Sequence, residues 1–431
     1  HSCEISGPLL IYLQSLNIVF DVVLLIDLEQ EDNSVDEIYY KTIFSNFKLI
    51  NKNTTIINFS NKKNRKHHLL HAYCSKVTLG DNQNYFIADG GGIIDETGEC
   101  ERESIYDKNF NLMSRYQKRI GLRYGNITSE LFNTTYKYGF HYCGKTMALS
   151  QYGSKIIESA SNLNEDMNNI ECQNFLYSLQ KKTEKDLLDI MPKENVNYSG
   201  GVAQNILANS NFINYKNFKI DPMCIDSGIS LGLLNYFLKG DLHKVNSMYL
   251  GPEPNYDYLS IFNKYKIVPT EVEDVAKILK DEPVALFQGR SEQGQRGLGN
   301  RSLLMNCHHK EAMAKINVIK KREWYRPFSP SVVEEKAEDY FDMQDITSPY
   351  MLYAFKTKQY LKNVSAWNNF IFINSAFYEL LKASGDMLLN TSLNFPGQVL
   401  VENILDLKYM LDMSPLKYAW LPDINQLIIK E

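Results

Sequence analysis

Short apolar runs rich in β-branched and aromatic residues alternate with helically spaced segments up to about residue 240, and this alternation constrains the fold most. Ile18–Asp27 (IVFDVVLLID) and Asn84–Asp89 (NYFIAD) have the length and composition of buried strands. Lys66 to Val77, Gly144 to Ile157 and Glu165 to Asp189 carry helical spacing. Strands mixed with helices predict an α/β or α+β architecture. No period of 20–50 residues recurs, which excludes a repeat protein. A chain of 431 residues has room for two or three domains. The clearest punctuation is Gly251-Pro252-Glu253-Pro254-Asn255, two prolines and a glycine in five residues. After it come a helix at Val272–Lys280, a strand at Val284–Gln288 and a polar, glycine-rich stretch at Gly289–Ser302. The expected division is therefore 1–255 and 256–431.

Hydrophobic residues at 44% and charged residues at 23% exclude intrinsic disorder. The net charge of -5 supplies no global attraction to nucleic acid or an anionic membrane. Seven scattered cysteines without a C-x-x-C pair read as reduced thiols rather than a disulfide framework or a zinc ribbon. The most apolar early stretch, Pro8 to Leu28, is interrupted by Gln14, Asn17, Asp21 and Asp27, too polar for a bilayer span and lacking signal-peptide features. A soluble cytoplasmic protein is expected, its start trimmed because the first residue is His1.

Three of the eight histidines fall within KHHLLHAY, as His67, His68 and His71. His67 and His71 are four apart, so on a helix their imidazoles share a face and can grip one metal ion. His68 points about 100° away. The plainer alternative is a solvated, histidine-rich helix start following the basic run Lys62–Lys66. Asp89 ends an apolar strand and runs into Gly90-Gly91-Gly92, where backbone can approach a phosphate or metal closely. Asp226, in Ile225-Asp226-Ser227-Gly228, has a similar setting, and a simple turn-forming role competes for both carboxylates. Two His with two Asp make a mixed N/O site suited to Fe, Zn or Mn.

Tyr198-Ser199-Gly200-Gly201-Val202-Ala203-Gln204-Asn205 reads as a glycine turn opening a helix, whose free N–H groups favour a phosphate. Further on, Phe287 to Ser302 holds Arg290, Arg296 and Arg301 among four glycines. Lys320-Lys321-Arg322-Glu323-Trp324-Tyr325-Arg326-Pro327-Phe328-Ser329-Pro330-Ser331 adds Arg322 and Arg326. Arginine forks bind phosphate bidentately, and neighbouring glycines admit backbone amides as well. A basic surface loop is the alternative. Nucleic acid is disfavoured by the acidic total and by Glu334, Glu335, Glu338 and Asp339 directly downstream.

Taken together these segments resemble the NodU/CmcH family, the O-carbamoyltransferases of natural-product and nodulation-factor biosynthesis. The matching stretches are HHLLHA (67–72), ADGGG (88–92), GKTMALSQYG (144–153), SGGVAQN (199–205), DSGISLG (226–232), LFQGRSEQGQRGLGNRS (286–302), KKREWYRPFSPSV (320–332) and NTSLN (390–394), in the family's order. The resemblance implies an N-terminal domain of the actin-like (ASKHA, duplicated RNase H-like) fold over 1–255, with its opening strand cut, and a smaller YrdC-like twisted-sheet α/β domain over 256–431. It implies that carbamoyl phosphate and ATP, with Mg, form a carbamoyl-adenylate at the second domain. The carbamoyl group then passes to a hydroxyl of a small molecule at a divalent-metal site in the first, Fe foremost, with Zn or Mn as alternatives.

On this resemblance His67, His71, Asp89 and Asp226 match the metal shell. Ser199, Gly200, Gly201 and Asn205, with Gly90 and Gly91, match the nucleotide-binding turns. Arg290, Arg296, Arg301, Arg322 and Arg326, with Ser329, match the phosphate-handling residues. The chain departs from the family at Gln295 for its usual proline and Gly297 for its usual alanine. Asn306-Cys307-His308-His309 stands where an Asp-Pro-Arg run is common, and KTKQYLKNVSAWNNFIFIN replaces the family's His-Val-Asp-Gly-Thr-Ala-Arg stretch between Met351 and Phe377. Two other readings follow from the same residues: a degenerate nucleotide-binding scaffold, and a carbamoyl-type transferase acting on tRNA. No membrane partner is expected, and a homodimer is left open.

Overall fold

The computed structural model describes residues 19–25, 37–58, 66–94, 98–160, 166–294, 296–343, 346–358 and 375–431. Residues 1–18 and most of the replaced stretch, 359–374, lie outside them, as does Gln295. The chain forms two compact units. One draws on His1–Arg123, Met191–Ala203 and Lys216–Asn246, the other on Tyr124–Ile190, Gln204–Tyr215 and Ser247–Glu431.

In the first unit a five-stranded sheet runs in the order Leu112–Tyr116, Glu103–Asp107, Asn84–Ala88, Glu194–Ser199, Lys216–Ile220. The first three strands pair antiparallel, and the last two continue parallel from Asn84–Ala88. That central strand is apolar on both faces because both are covered: Tyr85, Phe86, Ile87 and Ala88 are wholly buried. The helix His67–Leu79 covers it, placing Ala72 against Tyr85, Ile87 and Tyr106. From a neighbouring turn of the same helix, Leu70 packs with Ile229 and Leu233 of the helix Ile229–Phe237. A parallel pair, Val22–Leu25 with Thr55–Asn58, stands apart with the helix Glu37–Asn46 around Val23, Phe44 and Leu49. It holds the described part of the expected strand Ile18–Asp27.

The second unit combines long helices with a seven-stranded sheet ordered Ser329–Val332, Met387–Ser392, Arg301–Asn306, Val284–Phe287, Tyr418–Leu421, Gln426–Ile429, Lys266–Pro269. Only Val284–Phe287 and Tyr418–Leu421 pair parallel. The expected helix Glu165–Asp189 spans Ile170–Ile190. The expected helix Gly144–Ile157 is shifted: it runs Tyr136–Leu149 and closes on a single 3₁₀ turn, Ser150–Tyr152. Gly153 is the reason. Its backbone is extended, and a Cβ there would lie 2.2 Å from the Gln173 carbonyl oxygen, so the chain leaves the helix where it presses on Ile170–Ile190. The architecture is mixed α/β, as the alternation implied. Among the described residues no helix is long and apolar enough to cross a membrane.

Candidate metal centre and anion site

His67 and His71 occupy the first and second turns of the helix His67–Leu79, with ring centroids 5.0 Å apart. Asp89 follows the buried strand Asn84–Ala88 directly, so the strand end aims its carboxylate at that helix. His71 Nε2 lies 3.2 Å from Asp89 Oδ2 and 3.4 Å from Asp226 Oδ1; His67 Nε2 lies 3.5 and 3.6 Å from the same oxygens. These four residues form a group whose ligand atoms all fall within 4.8 Å of one another. Donors about 2.1 Å from one metal ion sit about 3.0–3.4 Å apart, so the spacing is that of a coordination shell. His67 Nε2 and His71 Nε2 are buried and turned to the two carboxylates at 3.2–3.6 Å, an arrangement that a bound cation between them satisfies. The residues present therefore fit a divalent metal with two N and two O donors. His68 belongs elsewhere: it is wholly buried and shares a 2.8 Å hydrogen bond with Ser104 Oγ. Burial, then His67, holds it well below its ordinary value, so it stays neutral.

Asp226 reaches the histidines because the helix behind it lies close. A Cβ at Gly232 would fall 2.0 Å from the Leu70 carbonyl oxygen, and one at Gly228 would fall 2.2 Å from that of Met223. Gly232→Ala is accordingly expected to force the two helices apart, destabilise the fold by about 1–3 kcal/mol and weaken metal binding at least tenfold. Thermal melting and a metal titration check this, and a variant that matches the parent in both would refute the close-packing account.

Burial opposes charge on His71, but hydrogen bonds to Asp226 and Asp89 outweigh it and raise the group to about 10. Asp89 is likewise buried, yet His67 and His71 hold it well below the usual carboxylate range. In the metal-free protein, the stability from His71 is full below its ordinary 6.5 and is lost as pH rises through about 10. That from Asp89 is present above its ordinary 3.8 and is lost as pH falls. A metal takes neutral imidazole, so it displaces the His71 proton. Affinity is expected to rise roughly tenfold per pH unit between about pH 7 and 9, with one proton released. Titration calorimetry in buffers of different ionisation enthalpy measures that proton; a pH-independent affinity would refute it.

The glycine turn beside this cluster is committed to holding Asp89. Gly201 N donates to Asp89 Oδ2 at 3.1 Å, Gly90 N to Asp89 Oδ1 at 2.5 Å, and the Gly90 carbonyl accepts from Arg102. Gly200 has φ +92°, and a Cβ there would meet the Ala88 carbonyl oxygen at 2.3 Å. Gly91 lies against Arg102 and Cys100. Ser199 Oγ donates to the buried Asp221 at 2.8 Å. The helix that follows the turn is short. A 3₁₀ turn, Gly201–Gln204, leads into the four-residue helix Ile206–Asn209, whose N-cap Asn205 accepts from Ala208 N and pairs its amide with Gln180.

The arginines of the second unit divide sharply. Arg301 is wholly buried over the Phe287 ring and donates to the carbonyls of Gln288, Gly289, Asn300 and Glu402, so its fork braces the loop. Arg290 is half-exposed and pairs with Glu253 at 2.7 Å. Arg322 and Arg326 are different. Arg322 is stacked on Phe328, bonded to Pro327 O and Thr391 Oγ1, and leaves a buried Nε without a hydrogen-bond partner. Burial presses its pKa well down, and Arg326 and Arg296 add like-charge repulsion. Lys320, absent from the expected site residues, joins them: its buried ammonium contacts Ser392 O at 2.5 Å and Asn394 Oδ1 at 2.6 Å. Burial, then Arg322 and Arg326, lowers it as well. Ser329 Oγ is buried and unpartnered beside them. Glu323 lies 3.7 Å from Arg326 and 2.5 Å from Lys145. One buried and two half-buried cations with so few carboxylates lose solvation that an anion would restore.

Residues 275–426 match the family model described as Carbamoyltransferase C-terminus, and this segment holds Arg290 to Ser329 and the strand Met387–Ser392. An uncharacterized protein of Methanocaldococcus jannaschii is 27% identical over 86% of this chain and 85% of its own length. Nodulation protein NolNO of Sinorhizobium fredii is 25% identical over 79% of this chain and 60% of its own. Nodulation protein U of the same organism is 41% identical across 91 residues, 21% of this chain and 16% of its own. The chain thus spans less than two thirds of the length of both nodulation proteins. The solved structure of full-length HypF, phosphate- and nucleotide-bound, overlaps 35% of this chain and 25% of its own with TM-score 0.27 and 21% identity, too slight to argue from. With the C-terminal model matched over residues 275–426 and nodulation proteins aligned along the chain, this protein is a transferase with a carbamoyltransferase C-terminal domain, similar to the NodU-type nodulation proteins.

Proposed function

We propose that the protein transfers a carbamoyl group from carbamoyl phosphate to a hydroxyl of a small molecule, activating it with ATP. The observation that carries the reading is the cation cluster of buried Lys320 with half-buried Arg322 and Arg326, placed inside the segment matched by the carbamoyltransferase model. Carbamoyl phosphate and ATP are polyanions, and preorganised cations in a dry site stabilise charge that develops as phosphoryl bonds break. In the proposed first step carbamoyl phosphate, ATP and water yield carbamoyl-adenylate, pyrophosphate and phosphate. Lys320, Arg322, Arg326 and Arg296 hold the phosphates, and burial excludes water from the adenylate. Arg301 and Glu292 keep the intervening loop in place.

The second step, attack of the acceptor hydroxyl with AMP leaving, is assigned to region 1–255. The strand order there, three antiparallel strands followed by two parallel ones, supports the actin-like reading. His67, His71, Asp89 and Asp226 would hold a divalent metal, Fe first, which when bound supplies Lewis acidity to the reacting carbonyl or hydroxyl. Gly90 and Gly201 keep Asp89 aimed by donating to its two oxygens. ATP enters with Mg.

Pyrophosphate release from ATP and Mg, with and without carbamoyl phosphate and with no acceptor added, tests the proposal. Release that depends on carbamoyl phosphate is expected. A folded, metal-loaded protein that releases none would overturn the adenylating step.

A further inference from the structure

In the second unit the strand Met387–Ser392 lies between Ser329–Val332 and Arg301–Asn306, and near its end it carries Asn390, 1% exposed. Side chains two apart on a strand share a face, as do directly opposed cross-strand neighbours. Asn390 therefore shares its face with Ser392 and with Ser329, its register partner. Its amide orientation is settled by chemistry. Asn390 Nδ2 donates to the Gly297 carbonyl at 3.2 Å and to Ser331 Oγ at 2.9 Å, and only the nitrogen can face a carbonyl. That leaves Oδ1 on the other branch of the amide, buried and without a hydrogen-bond partner among the described residues. Ser329 Oγ, opposite it, is buried and unpartnered too.

Cations lie nearby on the same face. Gly297, whose carbonyl Asn390 meets, follows Arg296, and Ser392 meets the Lys320 ammonium through its carbonyl and hydroxyl oxygens. A buried acceptor without a donor costs roughly ten- to a hundredfold in an equilibrium constant. Ionised phosphate oxygens cannot relieve it, because an acceptor needs a donor. A ligand that carries an N–H close to its ionised phosphate can.

The geometry points to Asn390 Oδ1 as the acceptor for an N–H of the carbamoyl donor, with the Ser329 hydroxyl beside it for the carbamoyl oxygen. The inference rests on the proposed use of carbamoyl phosphate and adds the residue that recognises it. Acetyl phosphate has the same carbonyl and phosphate but puts a methyl where the amino group stands. The methyl would leave Asn390 Oδ1 stranded, and a site built to hydrogen-bond a group rejects the analogue that lacks it.

The test is calorimetric titration of the full chain with fresh carbamoyl phosphate, acetyl phosphate and inorganic phosphate. The parent protein is expected to bind carbamoyl phosphate about 10- to 100-fold more tightly than acetyl phosphate. Asn390→Leu is expected to erase that preference while inorganic phosphate binds within about threefold of the parent. Asn390→Asp keeps an acceptor oxygen and is expected to retain the preference at weaker absolute affinity. A merely structural Asn390 would weaken all three ligands alike in the leucine variant. Equal binding of carbamoyl and acetyl phosphate by the parent, with inorganic phosphate still bound, overturns the role of Asn390 and leaves the anion site intact. Failure to bind any of the three overturns the proposed function itself. The parent comparison decides even if the leucine variant does not fold.

Discussion

The variant His71→Ala is expected to lose its metal while keeping carbamoyl-phosphate-dependent pyrophosphate release. His71 is wholly buried and meets both Asp89 and Asp226, so no other side chain can swing into its place. Removing even an outer partner of a metal ligand commonly costs 10- to 100-fold in affinity. Removing the ligand itself should cost at least about a hundredfold. Metal content by mass spectrometry, after dialysis at micromolar free metal, should fall from stoichiometric to a few per cent. Hydroxyl carbamoylation should fall with it, and the adenylating step should persist because its cations belong to the other unit. A variant that loses pyrophosphate release together with its metal would refute the division into two sites. His67→Ala provides the parallel case with a side chain at the helix edge.

Some of this site was legible because it depends on local periodicity. His67 and His71 are paired by helical spacing alone, and Asp89 by its place after an apolar strand. The convergence of Asp226 was not readable from spacing. It depends on how closely Gly232 and Gly228 let one helix approach another, which is a tertiary distance. The arginine stretch shows the opposite failure. Arg290, Arg296 and Arg301 look equivalent in sequence, yet Arg301 spends its fork on carbonyls and Arg290 turns to Glu253. Side-chain direction within a loop follows from its tethers. Here these include Glu292, whose Oε1 accepts from the N–H groups of Leu298, Asn300 and Arg301. Lys320 and Asn390 lie in the matching stretches yet carry no site role by sequence, for a related reason. A lysine in a basic run and an asparagine in a strand signal nothing until burial makes their polar atoms costly.

Arg322→Ala should abolish the adenylating step and yet leave the fold no weaker. Taking one cation from a preorganised site costs about 10²–10³ in rate, so carbamoyl-phosphate-dependent pyrophosphate release should fall by that factor with metal content unchanged. The stability prediction runs against the usual result for a buried residue. Arg322 sits in a site where burial disfavours its charge and Arg326 and Arg296 repel it, offset in part by Glu323 and, among the described residues, by hydrogen bonds to Pro327 O and Thr391 Oγ1. Replacing a buried, poorly compensated charge removes a desolvation penalty of several kcal/mol. That gain offsets the lost stacking on Phe328 and the lost hydrogen bonds. The anion-free variant should therefore melt at or above the parent temperature. Inorganic phosphate should raise the melting point of the parent, because it binds the folded state alone, and should do so far less in the variant. A sharp fall in melting temperature with an undiminished phosphate response would make Arg322 a structural strut and move the anion site elsewhere.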